Sequence, residues 1–538
     1  MNVPTTKAPT PNSTTLKRPT EPPQPVSICS YHSVLPEDAL EVEQLKESIA
    51  WPETPSLPSN FSLNDTSGPA HSTFTILPRN SGGGWRVGDQ LEVLIQITDF
   101  HGRPKSSGGD VLLARLHNPT LFAGVAGRVL DHHNGSYTAV FSLLWEGSAH
   151  VTLVHPSEAV TVLERITQQN PGRVSLKGIF RSGSVTEATA CNVCLKAPPE
   201  KLCNFTDIRT GEPWFCYKPK KLKCEHRVIH SFGGFDLSLT CLPCSKMLPL
   251  ESRPAAHQTC SVCNYSDIFV IFLIFHEQVF IMRGSVNAQP AGYYYQGIWR
   301  ALDGTTVHQL TNNSAISQCL SGKVLHLYGD STIRQWFEYL ISAAPGRHLK
   351  KFDLKSRTQT GPFMALNYAK NILVTFRCHA PPIRFGNLPV SQARYIANEL
   401  DGLVGGENTA IVIGVWSHFS TFPVEVYIRR LLSIRRAVER LLTRAPGTLV
   451  IIRTANPKAL SLYETLTNSD WFSIQRDKIL RTIFKGVNVR FVDAWEMTLA
   501  HYLPHNLHPQ RPIISIMLNV VLSHICSPAG NFTETKTL

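Results

Sequence analysis

The residues best suited to chemistry stand together at Gly329-Asp330-Ser331. Lys323-Val-Leu-His-Leu-Tyr328 before them reads as a short strand, and Thr332-Ile-Arg-Gln-Trp-Phe-Glu-Tyr-Leu340 after them reads as the opening of a helix. A serine at such a turn lies at the carboxyl edge of a sheet, with its hydroxyl exposed beside helix N–H groups. Those groups can hold a developing oxyanion, so the position suits a nucleophile. The competing reading is an Asp-Ser helix cap. A serine hydrolase or transferase also needs a histidine base, oxyanion donors and a carboxylate to orient the histidine. His508 is the candidate base and Asp493 the candidate orienter. The backbone N–H groups of Ser331 and of Gly386 or Gly414, with the His418 side chain, are candidate oxyanion donors. Gly329, Asp330 and Arg334 complete the oxyanion and substrate set. Each has a plainer reading: His508 precedes a proline and fits a turn, His418 stands among aromatics as a structural histidine would, and Asp493 fits a helix cap.

These residues need elements to place them. From about residue 290, strand-like runs at 323–328, 371–376, 410–414, 448–453 and 487–492 alternate with helical stretches near 332–342, 423–445, 470–484 and 513–523. Such alternation predicts a parallel sheet covered on both faces, with chemistry at the carboxyl ends of its strands. The chain before it has a different texture. Residues 1–68 are rich in Pro, Thr and Ser and read as a disordered leader or stalk, with a short helix near 36–48. Across 69–165, five short strands at 72–77, 90–97, 111–116, 136–141 and 149–154 are separated by Gly- and Ser-rich turns, the pattern of an Ig- or filamin-like β-sandwich. Residues 166–289 are cysteine-rich and short of clear elements, and 290–538 form the α/β domain, so the chain is multidomain.

Bulk properties narrow the setting. The 538 residues suggest two or three domains, and the longest apolar run, Ile268-Phe-Val-Ile-Phe-Leu-Ile-Phe275, is too short to span a bilayer. The N-terminus lacks the apolar core of a signal peptide, which taken alone points to the cytosol. Eight Asn-x-Ser/Thr sequons argue otherwise, at Asn12, Asn60, Asn64, Asn134, Asn204, Asn264, Asn312 and Asn531, the middle six being the candidate glycosylation sites. Nine of the 13 cysteines fall between Cys191 and Cys263, a density that suits a disulfide-stapled module. Cys191-x-x-Cys194, Cys241-x-x-Cys244 and Cys260-x-x-Cys263 have zinc-knuckle spacing, but the sequons among them favour disulfides, and no metal is expected. The odd cysteine total leaves a thiol free or bonded to another chain. The expectation is a secretory-pathway protein, in the Golgi lumen or outside the cell, whose signal or membrane anchor is absent from this chain. The net charge of +12 is scattered, with no arginine-rich arm or aromatic-basic repeat. It suits acidic glycans or an anionic donor rather than nucleic acid.

Three segments carry a resemblance: Leu327-Tyr-Gly-Asp-Ser-Thr-Ile-Arg-Gln-Trp-Phe-Glu-Tyr339, Trp416-Ser-His-Phe-Ser-Thr-Phe-Pro423, and Val492-Asp-Ala-Trp-Glu-Met-Thr498 on through His508-Pro509. With Asn134-Gly-Ser-Tyr137 and Trp145-Glu-Gly147 in the sandwich, they resemble the NXPE family over roughly residues 70 to 538. That family joins a neurexophilin-like region to a PC-esterase domain. The resemblance implies an SGNH-like α/β fold whose relatives add or remove O-acetyl groups on sialic acids and plant polysaccharides through the serine of Gly-Asp-Ser. It makes Ser331 the nucleophile and His508 the histidine of an Asp-x-x-His pair. The aspartate position of that pair is His505 here, and Trp416-Ser-His418 replaces the usual Gly-x-Asn-Asp block. Asp493, Glu496 or a backbone carbonyl would then have to hold the base.

The preferred expectation is a glycan O-acyltransferase or esterase, with O-acetylation of sialic acids as its sharper form. It would act on sialylated glycans or glycoproteins, use acetyl-CoA as a candidate donor and keep no resident cofactor. The alternative, from another class, is a secreted or cell-surface binding glycoprotein with a degenerate esterase domain and a cell-surface receptor.

Overall fold

Three sheets organise the described residues, each built by a different sequence pattern. A computed structural model of the protein describes residues 38–50, 67–68, 71–79, 83–157, 174–195, 197–235, 277–282, 290–310, 313–342, 350–353, 360–384, 386–459 and 468–526. The run 268–275, the sequons at Asn60, Asn64, Asn264 and Asn312, and the cysteine pairs 241/244 and 260/263 lie outside the described residues.

In Gln90–Gln96 the alternation of polar and apolar residues buries Leu91, Val93 and Ile95 on one face. Val111–Asn118, Ser136–Ser142 and Gly147–Ser157 add further apolar residues to the same core, around Tyr137, Phe141 and Trp145. These strands belong to one ten-stranded, largely antiparallel sheet that runs on through Ala123–Asp131 and curls into a half-barrel around that core. Ala123–Asp131 escapes a pattern reading because Gly124 and Gly127 interrupt its alternation. The hairpin of Gly292–Tyr295 and Ile298–Ala301 also joins this sheet, through the pairing of Tyr294 with Gly124.

The cysteine-rich stretch is more ordered than its composition suggests. Val174–Ser182, Val185–Asn192, Leu202–Asn204, Phe215–Tyr217 and Arg227–Phe235 form an antiparallel sheet completed by Asn387–Pro389. Disulfides Cys191–Cys216 and Cys203–Cys224 staple its short strands, and Cys194 is also disulfide-bonded. Short strands bury little apolar surface of their own, so cross-links compensate.

The third sheet contains β1 (Val324–Gly329), β2 (Lys350–Asp353), β3 (Phe363–Asn367), β4 (Ile372–Cys378), β5 (Thr409–Gly414), β6 (Leu449–Arg453) and β7 (Arg490–Val492). Its order is β2-β3-β4-β1-β5-β6-β7. Five strands are parallel, but β2 and β3 run antiparallel at one edge, so the expected all-parallel sheet is in fact mixed. Helices α1 (Ser331–Ser342), α2 (Val424–Arg444), α3 (Asp470–Ile483), α4 (Ala494–Leu499) and α5 (Arg511–Cys526) accompany it. Alternate β5 residues face opposite ways: Ala410 and Val412 join the core under α1 and α5, while Ile411 and Ile413 join the one under α2 and α3. Cys526 at the end of α5 is bonded to Cys319, and Cys378 is a buried free thiol. Part of the expected leader is also ordered: helix Ala39–Ser48 buries Val42 and Leu45 in the α2 core, and Asp38 and Glu41 pair with Arg436 and Arg435. No helix among the described residues is long and apolar enough to cross a membrane.

A buried ion pair ties the second sheet region to the third. Arg430 on α2 donates from Nε to Glu212 Oε2 at 2.5 Å, and its remaining nitrogens donate to the Ala380 and Pro381 carbonyls. The two side chains are only 1% and 6% exposed. Glu212→Gln leaves the guanidinium without its counter-charge, and the expected loss is about 3–5 kcal/mol. Urea unfolding measures it, and an unchanged midpoint would show that the pair contributes nothing.

Candidate active site

The five parallel strands, counted along the chain, lie in the order 2-1-3-4-5. In sheets of this kind ligands bind outside the carboxyl ends, at the crevice where the order reverses, here between β1 and β5. Both strands end in glycine, and Gly329 and Gly414 face each other in the ladder. A side-chain carbon at Gly329 would collide with the Gly414 carbonyl oxygen, so the close approach requires glycine. Asp330 N–H donates to that same carbonyl at 3.2 Å.

Ser331 is the first residue of α1, half-buried, and its Oγ lies 2.8 Å from Nε2 of His508. The two residues are 177 positions apart in sequence. Partial burial lowers the His508 pKa, as do Arg334 and Arg453, while Asp330 opposes the shift. The ring is therefore neutral at pH 7 and able to take a proton. At the amino end of α1 the Ser331 N–H has no acceptor among the described residues, the arrangement that an oxyanion donor needs.

The loop that carries His508 is held through its main chain. Asn506 Oδ1 accepts the His508 N–H at 2.9 Å, Asn456 Nδ2 donates to the Asn506 carbonyl at 3.0 Å, and Gln335 Nε2 donates to the Pro509 carbonyl at 2.6 Å. Asn456 is itself fixed by Arg453 Nη2 at 2.6 Å. Among the described residues no carboxylate is hydrogen-bonded to His508.

Asp330 is fully buried, and both of its carboxylate oxygens are engaged by the protein. Its Oδ1 accepts from the Thr332 N–H and hydroxyl at 2.9 and 2.6 Å, and Oδ2 accepts from the Ser417 N–H and hydroxyl at 3.1 and 2.7 Å. Burial alone would raise its pKa, but His418, these hydrogen bonds and His379 together hold the carboxyl well below the usual range. Asp330 thus joins the start of α1 to the segment after β5.

His418 lies in that segment, its Nδ1 3.1 Å from Nε2 of His379, whose own Nδ1 donates to the Ala380 carbonyl at 2.7 Å. Burial pushes His379 down to about 4 and His418 well below its ordinary value, so both rings are neutral. With His379 Nδ1 protonated, its Nε2 must accept, and His418 Nδ1 donates. The remaining His418 nitrogen is then an acceptor, so His418 could donate to an oxyanion only when protonated.

The other expected site residues are placed as follows. Asp493 caps α4 by accepting the Glu496 N–H at 2.9 Å, and its second oxygen accepts from Arg481 at 2.6 Å. The structure does not join it to His508. Gly386 is exposed on the loop that pairs with Arg227–Phe235, where its carbonyl accepts the Phe232 N–H. Arg334 Nε lies 3.2 Å from Glu338 on the next turn of α1. Asn134 and Asn204 are exposed, each with its side-chain oxygen accepting an N–H two residues on.

Comparison with known families agrees with this architecture. Residues 299–526 match the model described as NXPE family member 4-like, C-terminal domain, and residues 54–246 match the neurexophilin model. The chain belongs to the NXPE family. Its disulfides and neurexophilin-like region are those of a secretory or extracellular protein. In this NXPE chain His505, at the place of the expected aspartate, is not hydrogen-bonded to His508 among the described residues, and burial pushes its ring down to about 4. The supports of His508 were missed in the sequence, although two signals pointed to them. Gln335 is four residues after Ser331 and so shares its helix face, and Asn456 follows β6 at the same carboxyl edge.

Proposed function

We propose that the mixed-sheet domain is an SGNH-like serine acyltransferase or esterase of glycan O-acyl groups, O-acetylating sialic acids in the Golgi lumen as its most specific form, and that an Ig-like domain precedes it. The observation that carries this reading is the 2.8 Å Ser331 Oγ···His508 Nε2 contact at the switch point of the sheet. Ser331 Oγ attacks the acetyl carbonyl of a donor such as acetyl-CoA while His508 Nε2 takes its proton. The tetrahedral oxyanion rests on the Ser331 N–H. His508 returns the proton to the leaving thiolate, which leaves acetyl-Ser331 and free thiol. A sugar hydroxyl then attacks the ester, its proton passing to His508 and on to Ser331 Oγ; water in its place gives hydrolysis.

The test expresses the wild type and Ser331→Ala in cells, delivered to the secretory pathway, and measures O-acetylation of released sialic acids by mass spectrometry. A rise that disappears in the variant is expected, and a serine-dependent fall would make the protein an esterase. Equal glycans with both proteins folded would reject the reading. One observation favours a second reading, a binding glycoprotein with a retired domain: no carboxylate holds His508 among the described residues. Saturable binding to a cell-surface receptor, unchanged by Ser331→Ala, would support it.

A further inference from the structure

We propose that the curled neurexophilin-like sheet is part of the catalytic unit, and that Arg115 and Tyr294 are positioning residues that hold the segment leading to His508. The inference rests on the Ser331–His508 reading and extends it across the domain boundary.

The segment from α4 to Pro509 has no regular structure between 500 and 509. Its carboxyl end is gripped by Asn456 and Gln335 of the mixed-sheet domain. Its amino end is gripped by the other domain. Arg115 Nη1 donates to the His501 carbonyl at 2.5 Å, the Tyr294 hydroxyl donates to the Met497 carbonyl at 2.8 Å, and the Ala291 N–H donates to Glu496 at 2.7 Å. Packing follows the same route: the Tyr294 ring stands edge-on to His501 at 5.0 Å, and Phe122 meets Tyr502 at 5.8 Å. The Gly124 main chain lies so close to the Ala500 carbonyl that a side-chain carbon there would collide with it. Arg115 itself has no carboxylate partner within ion-pair distance among the described residues, and its Nε is buried without a hydrogen bond. A largely desolvated guanidinium without a counter-charge is an expensive way to glue two surfaces, for which an apolar side chain would serve. Its distinctive contribution is a charge-assisted donor aimed at the main chain of the His508 loop.

Arg115→Met keeps the length of the side chain and removes that donor. Hydrogen exchange on the full chain should then quicken about tenfold across 500–510, while amides of β1 and β5 keep wild-type protection. Labelling of Ser331 by a fluorophosphonate should slow about tenfold, with partial recovery in Arg115→Lys. Should Arg115→Met fail to fold, Tyr294→Phe removes only the hydroxyl at Met497 and should produce the same local loss. Wild-type exchange across 500–510 in the folded variants would overturn the proposal. A wild-type protein that never labels at Ser331 would sink the enzymatic reading, while the exchange pattern would still decide whether the loop is held by the neighbouring sheet.

Discussion

Asp330→Ala is expected to cost about 3 kcal/mol or more of stability, and with it the geometry of Ser331. The carboxylate accepts from four groups at 3.1 Å or less, two on the first turn of α1 and two on Ser417 after β5. Alanine strands the Thr332 and Ser417 N–H groups in a dry site, at roughly 1–3 kcal/mol for each unpaired buried donor. It also removes the anion that faces the buried Arg453 guanidinium, whose pKa burial lowers and Asp330 supports. Asparagine tests the charge more finely. It keeps one accepting oxygen but turns an NH2 group toward N–H donors on one side, so Asp330→Asn should fall between wild type and alanine. Urea unfolding measures both, and fluorophosphonate labelling of Ser331 should decline in the same order. If Asp330→Ala unfolds at the wild-type midpoint, Asp330 is not the joint between β1 and β5.

Asp330 also shows where pattern reading stops. In Gly329-Asp330-Ser331 the aspartate looks like a neighbour of the substrate, because its partner Ser417 is 87 residues away and nothing local announces it. What was legible followed periodicity and the carboxyl-edge rule. The five parallel strands, helices α1, α2, α3 and α5, and the Ser331 turn were all visible in the alternation of apolar runs. The cap at Asp493 was visible as well, since Asp493 and Glu496 have the spacing of a helix start. The curled sheet was only partly visible, because Gly124 and Gly127 hide a central strand. Its hairpin at Gly292–Ala301 is separated from its partner Gly124 by about 170 residues of chain. The edge strands β2 and β3 were unreadable for the opposite reason: they are short and reverse direction without a crossover helix.

Among the described residues no carboxylate holds His508, and the loop around it supplies a physical counterpart. In a triad the acid fixes the ring and stabilises the imidazolium. Here the main-chain grips of Asn456, Gln335 and Asn506 do the fixing, and the buried Asp330 is the charge that favours the imidazolium from a distance. Orientation is thus retained, while charge stabilisation is weaker than a direct carboxylate would give.

The same burial that keeps these histidines neutral should make the fold acid-sensitive. His230, His379 and His501 are buried, and desolvation pushes each down to about 4. An unfolded histidine titrates near 6.5. As pH falls from about 6.5 toward 4, the unfolded chain binds protons that the folded chain refuses, so stability drops with falling pH. Each group contributes about 1.4 kcal/mol per pH unit inside that window. Glu496 works in the other direction. Burial and Asp493 raise its carboxyl to about 7, so the folded state takes up a proton there and gains stability on acidification. The depressed histidines outnumber the raised carboxyl, so the balance is a loss of stability as pH falls between roughly pH 6.5 and 5. Asp330 acts in the same direction as the histidines but outside this window, because its depressed carboxyl loses its contribution only below the ordinary aspartate range, near 4. Thermal unfolding at pH 7.5, 6.5 and 5.5 should therefore show a midpoint falling by several degrees per unit below about pH 6.5. His230→Phe, which removes one titrating ring beside Trp214, should make that slope visibly shallower. A midpoint that stays level or rises from pH 7.5 to 5.5 would mean that these rings, His379 among them, are protonated in the folded protein.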